Sequence, residues 1–407
     1  MTNKDYEQPQ AQNKNEETSP SMCCFMAVNL TRNIIDALRE NYVFRFNMNS
    51  KKPEYHRVNE TEFRELTDIE FNSIKVDLNL KDITCSKDNL KTIIFSNQWE
   101  QYNPFEQFLK NLPEWDCQDH IAALAETVKT DDQEYWHWCL RKWIVGLIGS
   151  LADEETVNQT AIILCGEQGI GKSQWFKAIL PPELRKYSSS GYLDPKDKES
   201  LVQLSELCLY NMDEVENLKP KNVEAIKELI TKPSMYFRRA YTTLSNNYIR
   251  NCSFCGTANG INILHDITGN RRFLCHNVLS IDYKLKGMNL YQLYAQAYQL
   301  YRTGFQFWLD INEQKEVEKH NARYRATSPE EDLILTYFEP CNDGEEGAKR
   351  MQAHEIQVFL QRKVQYLRLS PINIGKVLSS KGFVAKKSRG ISKWIVRERP
   401  QTDDESN

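Results

Sequence analysis

Nothing in the 407-residue chain approaches the run of about 18 apolar residues that a membrane-crossing helix needs. The N-terminus is polar and lacks the apolar core of a secretory leader. Residues 1–24 are rich in Asn, Gln, Glu and Lys and hold almost no large apolar side chains, so a disordered tail is expected there. A basic excess is missing too. The net charge is −4, which leaves no global field to draw the chain to nucleic acid, and any such surface must be local. The 11 cysteines are odd in number and scattered, as expected for reduced thiols in a cytosolic protein. Cys252 and Cys255 form a C-x-x-C near His265, Cys275 and His276. No second C-x-x-C follows at zinc-site spacing, so cysteines packed around buried strands are the simpler expectation. What the chain does have is 40% hydrophobic and 11% aromatic residues, enough for real cores, and a length that admits two or three domains.

The densest chemistry lies in Thr160–Ser173, TAIILCGEQGIGKS. Ala161 to Cys165 reads as a strand buried on both faces. It runs into Gly166-Glu167-Gln168-Gly169-Ile170-Gly171-Lys172-Ser173, which fits G-x-x-x-x-G-K-[ST], and Gln174 onward opens a helix. Glycines let backbone N–H groups turn inward around phosphate oxygens, and a helix start adds partial positive charge. In this pattern Lys172 reaches the β- and γ-phosphates of ATP, and the Ser173 hydroxyl ligates Mg²⁺. An α/β P-loop nucleotide-binding core is therefore expected.

Further on, Leu207 to Glu214 reads as a second buried strand ending in two acids. Beside a P-loop, Asp213 would hold Mg²⁺ and Glu214 would polarise the attacking water. A solvated strand end is the alternative. Asn222 to Ile230 is helical in pattern. Met235 to Tyr241 and Tyr248 to Arg250 flank a polar tip, giving a hairpin. Its Arg238, Arg239 and Tyr241 are types that suit a single-stranded backbone and its bases, although charged hairpin faces are often simply solvated. A third strand, Cys252 to Thr257, delivers Asn259, whose amide could bond the attacking water or the γ-phosphate. Thr268 to Phe273 is a tight turn presenting Arg271 and Arg272; an internal ion pair is their structural alternative.

On either side of this core the pattern changes. Residues 25–100 mix helical spacing with the alternating Tyr42–Phe46, suggesting a small α+β domain without a catalytic constellation. Ile121 to Lys129 and Glu134 to Leu151 read as helices, the second with a core stripe of Trp136, Trp143 and Leu147. Leu290 to Trp308 suggests an aromatic lid. From Ser328 the order is helix (328–331 as its start), helix (354–364), helix (371–380), then two arms around Lys386-Lys387-Ser388-Arg389-Gly390. That is the order of a winged helix. Residues 371–399 hold eight basic residues against the single acid Glu398, so Lys386, Lys387 and Arg389 are expected to contact phosphates. A protein-binding wing is the alternative.

The succession of P-loop, acid pair, hairpin, Gly256-Thr257-Ala258-Asn259 and Asp266-Ile267-Thr268-Gly269-Asn270-Arg271-Arg272-Phe273 resembles the virulence-associated protein E family. That family lies in the superfamily 3 helicase branch of the AAA+ ATPases and occurs in phages, plasmids and integrated mobile elements. The likeness includes Asn103-Pro104-Phe105 to Trp115-Asp116 and the Arg141-Lys142-Trp143 helix, and so spans roughly residues 100–280. It implies that Asn259 is the sensor, that one of Arg271 and Arg272 is a finger entering the neighbouring subunit's site, and that the hairpin at 236–250 tracks DNA. The chain departs from the pattern in two respects. No primase motif precedes the core, and the hairpin lacks the lone tip Lys or His of the viral helicases.

The resulting expectation is a disordered tail (1–24), an α+β domain (25–100), an AAA+ type P-loop ATPase with N-terminal helices and C-terminal lid (101–325), a winged helix (326–399) and an acidic tail (400–407). The expected activity is ATP-driven translocation on, or unwinding of, single-stranded or duplex DNA in replication of a mobile element, by a homo-oligomeric ring, a hexamer. A non-motor ATP-dependent loader or regulatory switch would keep the same site. A small-molecule kinase would explain neither the hairpin nor the winged helix.

Overall fold

A computed structural model describes residues 20–218, 220–239, 244–264, 269–325, 327–364, 366–388 and 391–400. Of the residues singled out above, Tyr241, His265, Asp266, Ile267, Thr268, Arg389 and Gly390 lie outside these, as do residues 1–19 and 401–407. The chain divides into two compact units, residues 1–107 and 108–407.

In the first unit, strands Tyr42–Asn47 and Lys52–Arg57 pair antiparallel, with Glu100–Tyr102 added parallel to the first. Tyr42, Phe44 and Tyr55 alternate inward and meet Phe71, Ile74 and Leu78 of helix Asp68–Leu80 and Leu90 and Ile94 of helix Lys87–Ile94. Helix Asp68–Leu80 starts where Thr67 and Glu70 form a reciprocal capping box, satisfying two otherwise orphaned donors.

The second unit is built on a six-stranded sheet. Its order is Val128–Thr130, Phe273–Ile281, Ala161–Cys165, Ser253–Ala258, Leu209–Met212, Ser188–Gly191. All neighbours run parallel except the first pair. The central strands Ala161–Cys165 and Ser253–Ala258 are buried at every position, which is why the first reads as an unbroken apolar run rather than an alternating one. Helix Gln133–Ala152 covers the sheet. Trp136 and Trp143 are fully buried, and the Trp143 indole donates to the Phe254 carbonyl at 2.9 Å.

Residues 121–129, expected to be one helix, split into helix His120–Ala125 and edge strand Val128–Thr130. Val128 and Thr130 are buried with exposed Lys129 between them, a strand period, and they pair with Ile281 and Val278. Cys252 and Cys255 are buried at the third core strand, and Cys275 and His276 in Phe273–Ile281, on the other side of Ala161–Cys165.

The C-terminal part places helices Pro329–Tyr337, Ala353–Lys363 and Pro371–Ser380 around a small sheet. Its long strand Ile391–Glu398 pairs antiparallel with Ala385–Ser388, Phe338–Pro340 and Ala348–Met351. Ile334, Phe338, Ile356, Leu360, Ile374, Leu378 and Val396 form its core. Strands Phe338–Pro340 and Ala348–Met351 were not expected. Among the described residues no helix is long and apolar enough to cross a membrane.

Candidate functional site

The parallel sheet delivers three strand ends to one side. Gly166 to Ser173 leaves Ala161–Cys165, the acids leave Leu209–Met212, and Asn259 leaves Ser253–Ala258. Between them lies a cleft of about 340 Å³ lined by Gln168, Gly169, Gly171, Lys172, Ser173, Gln174, Asp213, Glu214, Thr257 and Asn259. Nine of the expected site residues thus meet at one place, together with Thr257.

The glycine-rich loop needs its glycines at two points in particular. Gly166 passes so close to the next strand that an added Cβ would lie 2.8 Å from the Val278 carbonyl oxygen. Gly171 has φ +99°, a left-handed conformation, and a Cβ there would strike the Tyr283 ring at 2.5 Å. Helix Lys172–Ala178 follows, anchored by buried Trp175 and Phe176, with the Trp175 indole donating to the Thr127 hydroxyl at 2.8 Å. Glu167, Gln168 and Gly169 are exposed around the cleft and Ile170 is half-buried. The Lys172 ammonium donates to the carbonyls of Gly166 (2.8 Å) and Glu167 (2.7 Å). Burial draws its pKa below the usual lysine value, against the opposing charge of Glu216.

Asp213 is the hub. Its Oδ1 accepts from the Ser173 hydroxyl at 2.9 Å, the Asn211 amide at 2.7 Å and the Thr257 hydroxyl at 3.2 Å. Three strand ends are therefore tied to a single carboxylate oxygen. Glu214 is exposed and sits in the left-handed region, φ 54° and ψ 53°, where a non-glycine residue is strained. Its carboxylate accepts from the Asn217 amide at 2.9 Å.

Glu216 was not singled out in the sequence. Its Oε1 accepts the Asn259 backbone N–H at 2.9 Å, joining the acid turn to the end of the third strand. Its Oε2 is buried without a hydrogen-bond partner. Asn211 was also missed, although a polar residue inside the apolar run Leu-Tyr-Asn-Met was a signal. Glu216 carried no such signal, because its role depends on which strand end it faces.

The arginine pair lies elsewhere. Phe273 pairs with Ala161 and Asn277 with Cys165, so Arg271 and Arg272 stand where these parallel strands begin, while the glycine-rich loop leaves where they end. The gap is about 16 Å at the usual strand rise, beyond the reach of an arginine side chain. Arg271 is exposed, Arg272 is half-buried, and neither forms an ion pair with any described residue.

The hairpin forms from Ser234–Phe237 and Asn246–Ile249, so the two asparagines expected in its turn belong to a strand. Arg238 is exposed beside the exposed ring of Tyr236. Arg239 is not available in the same way: its guanidinium bonds Glu206 at 2.8 Å and Ser205 at 2.9 Å and lies over the Tyr248 ring. Arg250 is fully buried and donates to the carbonyls of Ile230 and Lys232, closing the C-terminus of helix Pro220–Thr231.

In the C-terminal part, Lys386 pairs with Asp343 at 2.7 Å, and Arg350 holds the same carboxylate at 2.5 Å. Together they keep Asp343 far below the usual carboxylate range. Arg397 pairs with Glu345 and Glu339, and Lys349 with Glu398. The basic excess counted along residues 371–399 is thus partly neutralised by Glu339 of a preceding strand and by Asp343 and Glu345 of the loop that follows it. Lys387 is exposed and makes no ion pair with a described residue.

Comparison with known structures returns the apo structure of the NrS-1 C-terminal region (305–718), at 12% identity and TM-score 0.45, covering 91% of this chain and 98% of that one. The A form apo structure of the same region matches at 13% identity and TM-score 0.47, covering 90% and 98%. No curated protein matches the chain. The model of the virulence-associated protein E-like domain matches residues 109–326, which contain the sheet, the cleft and the arginine turn. That span is more than half of the chain, and the protein belongs to the virulence-associated protein E-like family.

Proposed function

We propose that this protein is an ATP-dependent DNA translocase or helicase acting in replication of a phage or mobile genetic element. In this reading residues 101–325 are an AAA+ type P-loop ATPase and residues 326–399 a winged helix. The observation that carries it is the Asp213 carboxylate, held jointly by Ser173, Asn211 and Thr257 at the mouth of a glycine-rich loop. Hydroxyl and carboxylate oxygens are the donors Mg²⁺ prefers, and a cleft of about 340 Å³ suits a nucleotide's phosphates and part of its body. The residues fit the group: Ser173 and Asp213 would hold the magnesium ion. A magnesium ion there would offset the charge of the β- and γ-phosphates.

Lys172 would exchange its two loop carbonyls for phosphate oxygens. Glu214 would leave Asn217 and take up the proton of the attacking water. Asn259 would orient that water from the opposite strand end. Arg271 stands too far from its own cleft to act there, which supports a finger supplied to a neighbouring subunit in a ring. Such fingers accelerate phosphoryl transfer by about 10³–10⁵.

A second reading, an ATP-dependent switch or loader, draws support from the C-terminal part. Pairing of Lys386 and Arg397 with acids leaves less positive surface for phosphate and suits a protein partner. ATP hydrolysis measured with and without single-stranded DNA, on an oligomer of defined size, separates the readings. Translocation predicts DNA-stimulated turnover and strand displacement. Turnover without displacement favours the switch, and no nucleotide binding refutes both.

A further inference from the structure

The turn that carries Arg271 and Arg272 is built from Gly269, at φ +79°, and a single 3₁₀ turn, Asn270–Arg272. Such a turn has little rigidity of its own. What holds it comes from a helix distant in sequence. Helix Ile311–Asn321 begins with a capping box between Asp310 and Glu313, and Glu313 is tied to the body of the unit by Lys142 at 2.8 Å. Its last residue, Asn321, is 2% exposed. The Asn321 amide nitrogen donates to the Asn270 carbonyl at 2.9 Å and to the Phe273 carbonyl at 2.7 Å.

Those two carbonyls bracket the arginine pair. One side-chain NH₂ group therefore spans both ends of the turn, while its own carbonyl oxygen is buried with no partner. The side chain is placed for its donors alone. Three residues further on, the Tyr324 carbonyl accepts the N–H groups of Ile263 and Leu264.

We propose that Asn321 is a positioning residue that fixes the direction in which the arginine pair is presented to a neighbouring subunit. The proposal rests on the trans-finger reading above. Loss of the strap would leave the turn hinged at Gly269. A displacement of about 1 Å in a charge-stabilising group can cost on the order of 10²-fold in rate without changing ground-state binding.

The test uses the full chain with Asn321→Leu, which keeps the branched shape but removes the donors, and Asn321→Ala, which adds no bulk, should the larger leucine fold poorly. ATP affinity is expected to stay within about twofold while DNA-stimulated kcat falls about 10- to 100-fold. Subunit mixing then tells finger from site. Mixed with Lys172→Ala subunits, whose fingers are intact, the Asn321 variant should regain activity. Mixed with Arg271→Ala subunits it should not, because both partners lack a working finger.

Recovery with Arg271→Ala, or an unchanged kcat, overturns the proposal, since either result places the Asn321 defect away from the finger. If Arg271→Ala and Lys172→Ala subunits themselves fail to complement although they exchange, the trans reading falls and the proposal with it.

Discussion

Gly256 is the position where one methyl group should separate folding from chemistry. It lies in the middle of Ser253–Ala258, opposite Ile163 on one side and Met212 on the other. A Cβ added there would stand 2.7 Å from Val215 Cγ2, 2.9 Å from Ile163 Cδ1 and 3.2 Å from the Met212 carbonyl oxygen. Carbon atoms in contact sit about 3.5–4.0 Å apart, so Val215 would have to retreat by about 1 Å. Ile163 can turn its terminal methyl aside, but Val215 is β-branched, stiff and buried. It also sits between Glu214 and Glu216, so its retreat moves both acids. Overpacking of this kind costs about 1–3 kcal/mol. At about 2–4 °C per kcal/mol for a unit of this size, Gly256→Ala should lower the melting temperature by roughly 2–12 °C. Turnover should fall further than that stability loss explains, with nucleotide affinity nearly retained. Adding Val215→Ala should recover part of both, with a coupling of about 0.5–3 kcal/mol in a double-mutant cycle. The assay pairs thermal melting with nucleotide titration and single-turnover hydrolysis. Unchanged melting and unchanged turnover in Gly256→Ala would refute the claim that this contact sets the acids.

Lys172→Ala should abolish hydrolysis, whereas Glu214→Gln should keep ATP binding and stop turnover, because glutamine cannot accept the proton; equal loss of binding in both would make Glu214 structural. Neutralising Lys387 should flatten the salt dependence of DNA binding by about one phosphate contact, and neutralising Lys386 by less, because Asp343 already engages it. Conversely, Asp343→Asn releases both Lys386 and Arg350 and should raise DNA affinity and steepen the salt slope. If Asp343→Asn leaves binding untouched, the wing faces protein.

Much of the site was legible because its chemistry is local in sequence. The strand Ala161–Cys165 is apolar at every position and its loop follows directly, so burial and motif point to the same place. The acids and Asn259 were legible for the same reason, each ending an apolar strand that a parallel sheet brings alongside. The split of 121–129 was not, because the pattern fits both a helix and a strand until Val278–Ile281 is available as a partner. Strands Phe338–Pro340 and Ala348–Met351 are three and four residues long and exist only by pairing with residues near 394–398.

Charge was the least legible property, and the reason is the same antiparallel pairing. Counting along residues 371–399 finds an excess of cations, but the sheet places the acids of 339–345 against them. Arg239 repeats the lesson: it looked available on a hairpin, and it is held by Glu206 and Ser205. Arg271 is the opposite case. It sits in a turn between a left-handed glycine and a buried strand, with both flanking carbonyls already strapped by Asn321, and it is exposed with no acid among the described residues paired to it. Among the described residues many other arginines are paired with acids, whereas this one has the backbone around it fastened and its charge open, as the proposed finger would require. The strand register sets it about 16 Å from its own glycine-rich loop, and the proposed finger, acting on a neighbouring copy's loop, is consistent with that separation.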